Sequence, residues 1–273
     1  MAMDSPRIYC IPASEAPVIA VFRRGPSKWF HVGRWDLTQQ TYEPGAWLHG
    51  RIYPRRSDLS PDGRFLCYFA HKPNATWEHG ETYIAISKLP WLRAIYAFGT
   101  CGTWTRGYYF IPPDQSDEHL KIDVPFPYNL SSIPVVQFAN ERHRGWTETA
   151  DSPLRQPNDL WDEHRNARLY KIQPEGHRIL YLESLGLAGG EFGEDQAVDG
   201  MSVLYSMQSN EGIEILDAYQ WADWDLQGNL LVATRSGKLQ VNQVEDNGLR
   251  VVFEVDLSVM DPDPLPPPSW AQN

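Results

Sequence analysis

Cysteine is scarce in this chain: Cys10, Cys67 and Cys101 are the only 3 among 273 residues, an odd number with no CxxC spacing. A disulfide framework or a zinc site built from cysteines is therefore not expected. Positive charge is also short, with 24 Lys and Arg against 35 Asp and Glu and a formal net charge of −11. That balance argues against broad binding to nucleic acid or to an anionic membrane, since both need clustered positive charge. No stretch approaches the roughly 20 apolar residues that span a bilayer, and residues 1–12 lack the basic and apolar regions of a signal peptide. A cytoplasmic location is the expectation. What the chain has in quantity is aromatic residues (11 Trp, 13 Tyr and 10 Phe), beside 22 Pro and 20 Gly.

Helical periodicity is nearly missing as well. Short runs rich in β-branched and aromatic residues recur instead, bounded by Pro, Gly, Asn and Asp. They fall at residues 7–11, 18–23, 28–36, 65–70, 82–88, 92–98, 106–111 and 133–138, and again at 168–172, 178–184, 201–207, 213–220, 230–234, 238–244 and 250–255. Runs of this length suit strands and are too short for typical helices. The fold class expected is all-β.

Two turns carry more information. Ser60-Pro61-Asp62-Gly63-Arg64 precedes an apolar run from Phe65, and Asp225-Leu226-Gln227-Gly228-Asn229 precedes one from Leu230. In each, an Asp is followed within three residues by a Gly that can take positive φ without steric cost. Arg235-Ser236-Gly237-Lys238 then marks a further hairpin. These residues resemble the hairpins of β-propeller repeats of the WD40-like and TolB-like kind, where S-P-D-G-(K/R) precedes an apolar strand. The second turn also looks like that of gluconolactonase-like propellers. The resemblance covers residues 58–98 and 221–255. Gly63 and Gly228 lie about 165 residues apart, near four repeats of the 40 to 45 residues of a blade. It implies a propeller of five blades, with six as the alternative. The chain departs from the family pattern at residues 112–130 and 186–199, which look like insertions. Its Trp-Asp dipeptides, such as Trp224-Asp225, also lack the Gly-His partner of WD40 repeats.

The organisation expected is one domain over residues 1–260, with an N-terminal strand closing the ring against the last blade. A proline-rich tail over residues 261–273 should be extended or PPII-like and lie outside the core. The prolines of that tail suit a Pro-recognising domain, but a plain terminal tail is the simpler reading.

Candidate chemistry is sparse. The eight histidines form no HxH or HExxH pair, so no metal site is expected. The cluster Asp162-Glu163-His164 reads as a polar turn, because neighbouring side chains on extended backbone diverge. Asp223 and Asp225 flank Trp224 on one side of an extended segment, which suits an acid–base pair of the glycoside-hydrolysing kind; the plainer reading is that they shape the following turn. The acidic glycine-rich stretch 186–200 lacks the order of a phosphate or calcium loop and reads as a surface loop. No GxSxG elbow and no recognisable catalytic cysteine sequence occur, and the cysteines read as small buried hydrophobes.

Tryptophans in or beside turns remain: Trp77, Trp104, Trp146, Trp161, Trp221 and Trp224. Exposed on loops, Trp77, Trp104, Trp146, Trp161 and Trp224 would anchor a protein partner or stack on a sugar; buried, each fills space between sheets. The function expected is a protein-interaction or scaffold module with no cofactor, binding a protein through one face and its aromatic loops. The alternative is a carbohydrate-binding or glycoside-hydrolysing propeller with a glycan as ligand. An enzyme is the less favoured of the two.

Overall fold

The computed structural model describes residues 5–76, 78–103, 105–115, 126–134, 136–150, 167–174, 176–187, 201–210, 212–245 and 248–272. Among them are twenty strands and one five-residue α-helix. The all-β expectation holds.

Strands β1 (Arg7–Pro12), β2 (Val18–Arg24), β3 (Trp29–Asp36) and β4 (Thr41–His49) form a sheet in that order. A second sheet follows from β5 (Arg51–Ile52), β6 (Asp58–Leu59), β7 (Phe65–His71), β8 (Thr82–Lys88) and β9 (Ala94–Gly99), with β6 paired to β7 beside β5. Strands β10 (Tyr108–Ile111) and β11 (Asn129–Ser132) pair with each other. After helix α1 (Ala139–His143) come β12 (Thr147–Glu148), β13 (Arg168–Ile172), β14 (Ile179–Leu187), β15 (Met201–Ser209) and β16 (Gly212–Ile215), again in chain order. The last sheet is β17 (Tyr219–Trp224), β18 (Leu230–Thr234), β19 (Lys238–Glu245) and β20 (Gly248–Asp256). Sheets made of consecutive antiparallel strands need only short hairpins, which is what the Pro, Gly, Asn and Asp boundaries supply.

The chain divides into two compact units, Met1–Tyr9 with Val135–Met260, and Cys10–Pro134 with Asp261–Asn273. The first is built on Trp146, Leu169, Leu180, Leu182, Tyr205, Trp224 and Val232. The second is built on Phe65, Cys67, Phe69, Ile84, Ile86, Phe110 and Leu130. Strands β2, β7 and β18 are buried along nearly their whole length, so their sequences are continuous apolar runs without alternation. The edge strands β16 and β20 are largely exposed.

The two informative turns form as expected. Gly63 takes φ +72 and Gly228 takes φ +80, both left-handed conformations that a side chain would strain. Ser60 Oγ accepts from the Phe65 amide (2.9 Å) and donates to Asp62 Oδ1 (2.6 Å), which fixes the loop of the β6–β7 hairpin. Asp225 Oδ1 accepts from the amides of Gln227 (2.9 Å) and Asn229 (2.8 Å).

Four expectations are corrected. The described residues of 133–138 form no strand: Pro134 removes a ladder donor, and Phe138 takes φ 58 as it leads into α1. Residues 213–220 are two strands separated by a turn, in which the Tyr219 amide donates to the Leu216 carbonyl (3.2 Å). β1 belongs to the sheet of β2 to β4, not to the last one; Ile8 does donate its amide to Gln220 Oε1 (2.8 Å) on β17. The tail is extended but not outside the core, since it ends in a turn at Ser269–Ala271 with Ala271 fully buried.

Candidate functional site

Strand β4 carries Pro44 and Gly45 in mid-strand, and this breaks its ladder. His31 pairs with Trp47 and Gly33 with Pro44, so β4 has one residue more than β3 over this interval. Such a bulge takes amides out of the ladder, and buried amides need other acceptors. The Gly45 amide donates to Nε2 of His31 (3.2 Å), a side chain with no exposed surface. The Ala46 amide donates to the Pro90 carbonyl (3.1 Å) in the turn between β8 and β9. A side chain on Gly45 would overlap that same Pro90 carbonyl, so the glycine is what permits the approach.

The His31 bond settles its tautomer. Nε2 accepts from an amide, so the proton sits on Nδ1 and is donated to Tyr42 Oη, 3.1 Å away. Burial, reinforced by the nearby Arg23 guanidinium, pushes the imidazole pKa down to about 3. Burial pushes the Tyr42 hydroxyl well up. Both rings stay neutral, as an enclosed pair must without a counter-charge. Gly33 makes room for this pair, since a Cβ there would overlap the Tyr42 hydroxyl.

Trp47 rests on this support. Its ring lies 4.7 Å from His31 and 6.4 Å from Trp29, with the Arg23 guanidinium 5.4 Å from its centroid. The bulge thus holds Trp47 on β4, and the Ala46–Pro90 bond ties β4 to the turn that carries Trp91. The Trp91 amide closes that turn on the Lys88 carbonyl (2.8 Å), and Tyr68 Oη donates to the Leu92 carbonyl (3.1 Å).

Between these elements lies a groove of about 700 Å³. Trp47, Tyr68, Tyr83, Trp91 and Tyr96 give it aromatic walls, while Lys72, Glu78, His79 and Arg93 supply polar groups. Tyr68 and Tyr83 pack edge to face at 6.2 Å. Burial pushes the Tyr83 phenol up to about 12 and that of Tyr68 well up, so both are neutral. His79 Nε2 lies 3.5 Å from Glu78 Oε1 at the rim. The indole Nε1 of Trp91 is buried with no hydrogen-bond partner. Leu265 and Pro267 of the tail complete the lining. The groove thus sets aromatic rings beside charged side chains, within the size range of ligand pockets.

The residues singled out in the sequence fall elsewhere. Trp146 and Trp224 are each 4% exposed in the core of the first unit, and Trp221 is also buried. These indoles fill space and present no surface to a partner. Trp77, Trp104 and Trp161, the cluster 162–164 and most of the stretch 186–200 lie outside the described residues. Asp223 is buried with its Oδ1 2.7 Å from Lys171 Nζ and accepting from the Trp224 amide (2.7 Å). Asp225 accepts from Asn229 Nδ2 (2.8 Å) at its second oxygen. Asp225 therefore has the turn-shaping contacts of the plainer reading, while Asp223 is engaged in an ion pair with Lys171 instead. Cys10 and Cys67 are buried and their thiols are pushed up by burial, while Cys101 is exposed.

Among the described residues no three His, Cys, Asp or Glu side chains are grouped to hold a metal ion, and no helix is long and apolar enough to cross a membrane. Comparison with protein-family models and with curated proteins returns no match.

The groove was not visible in the sequence because Trp47 lies in a run interrupted by Pro44 and Gly45, and Trp91 in a short turn just after Pro90. The available signal was Pro44-Gly45 itself, a pair that reads as a bulge when strand-forming residues lie on both sides.

Proposed function

We propose that this chain is a cytoplasmic interaction scaffold of the β-propeller type, whose partner surface is the aromatic groove bounded by Trp47, Tyr68 and Trp91. The observation that carries the reading is that Trp47 is held at the groove by the adjoining bulge and the rings of His31 and Trp29, and Trp91 by the turn its amide closes on Lys88. Preorganised aromatic side chains in a groove give a partner large contact area at little ordering cost. The blade reading is supported by successive antiparallel sheets, two of which end on the largely exposed strands β16 and β20. A reducing compartment is supported by three free thiols.

The test is a quantitative pull-down from source lysate with the full chain and its Trp47→Ala variant across a salt series. The expected result is a near-stoichiometric protein retained at high salt by the wild type, because apolar aromatic contacts are not screened, and lost by the variant. Equal recovery by both would remove the groove from the interface. An empty wild-type eluate together with binding to a glycan panel would favour the carbohydrate reading instead.

A further inference from the structure

We propose that the groove recognises proline-rich segments in the polyproline II conformation, and that the chain's own tail is a displaceable resident along one of its walls. The proposal rests on the reading of the groove as a partner site and names the chemistry of the partner.

A polyproline II segment offers flat pyrrolidine faces and carbonyl acceptors, with no N–H at each proline. The groove offers the complement. Trp47, Trp91 and Tyr96 present partly exposed rings above the buried Tyr68 and Tyr83, and the buried Trp91 indole N–H lacks an acceptor. Aromatic-lined grooves of this kind are how proline-rich peptides are bound in general, because the ligand is already extended and loses little entropy.

The tail supplies the second line of argument. Five prolines stand between positions 262 and 268, and Pro268 has φ −64 and ψ 163, the polyproline II region. Leu265 and Pro267 already lie against the groove. Beyond them, Lys88 Nζ donates to the Trp270 carbonyl (2.8 Å) and Ala271 is fully buried. Before them, the Asp261 carboxylate lies in the field of Arg23. The tail is thus fixed beyond Pro268, while its middle is shallowly seated, with Leu265 59% exposed. A segment held this way is present at high local concentration and still open to exchange.

The experiment follows a labelled peptide with the sequence of residues 261–269 by fluorescence anisotropy, with a control in which every proline is alanine. It uses the full chain, a Pro266→Gly/Pro267→Gly double variant that loosens the resident tail at half-exposed or exposed positions, and Trp91→Phe. The proline peptide should bind the wild type and the alanine control should not. The double variant should bind at least about tenfold more tightly, because a tethered competitor has been weakened. Trp91→Phe, which keeps a ring and loses the N–H, should bind more weakly than wild type. Circular dichroism melting confirms that each variant is folded. Absence of binding by both wild type and double variant, or equal binding of the alanine control, overturns the proposal. A partner captured through Trp47 with no peptide binding overturns the proline assignment and leaves the scaffold reading standing.

Discussion

His31 shows how one residue can serve a site it does not line. Its imidazole accepts the amide that the β4 bulge releases and props the ring of Trp47. The neutral form is required for that acceptance, and this has a consequence for stability. In the unfolded chain the imidazole takes a proton as the pH falls below about 6.5; in the folded chain it does so only near 3. Between those values the unfolded state binds more protons, so the stabilising contribution is complete above the upper value and declines as the pH falls. The slope approaches about 1.4 kcal/mol per pH unit in this window. Denaturant unfolding from pH 7 to pH 4 checks it: His31→Gln, which keeps an acceptor but does not titrate, should show a shallower decline than wild type. Parallel curves would contradict the assignment. Gly45 yields a companion prediction. Gly45→Ala must push Pro90 away, costing about 1–3 kcal/mol in a packed site and weakening partner capture. Thermal unfolding and the pull-down read the two effects separately.

At the scale of elements, the turns were the legible part of the sequence. Ser60 to Arg64 and Asp225 to Asn229 encode their geometry in local side-chain hydrogen bonds and a positive-φ glycine, so they can be read without knowing what they pack on. Strand β4 was not legible, because its bulge is decided by His31 and Pro90, residues distant in the chain. The same limit explains the tryptophans. Trp146 and Trp224 sit beside turns, which suggested exposure, but the α1 turn and β17 both face the core of their unit. Asp223 and Lys171, on β17 and β13, join two neighbouring sheets by a largely buried ion pair at 2.7 Å. Lys171→Met should therefore destabilise the protein by about 3 kcal/mol, since it strands a buried carboxylate, and adding Asp223→Leu should recover most of the loss. Denaturation midpoints of the single and double variants decide this. A single variant as stable as wild type would contradict it.

For the molecule as a whole, the chain composes each compact unit from segments far apart in sequence. Met1–Tyr9 joins Val135–Met260, and Asp261–Asn273 joins Cys10–Pro134. Within the first unit, Tyr9 Oη donates to Glu141 Oε1 (3.0 Å) across 132 residues of sequence. Tyr9→Phe should cost about 2 kcal/mol, the range of a hydrogen bond to a charged group, with the midpoint of denaturant unfolding as the readout. This arrangement makes residues 5–9 and 261–272 structural parts of the fold, a property that composition and local patterning do not express. The same is true of the groove, whose lining comes from residues 46–48, 68–97 and the tail.

The proposed function requires partners to meet the protein at that groove. Photo-crosslinking tests it most directly, with a benzophenone amino acid placed in the full chain at Leu48 or Ala97 in the groove, or at the exposed Val252 on β20. One dominant adduct from source lysate is expected at Leu48 and Ala97, competed by an excess of unlabelled wild-type protein, and none at Val252. A dominant adduct at Val252 alone, or none at the groove positions, would contradict it.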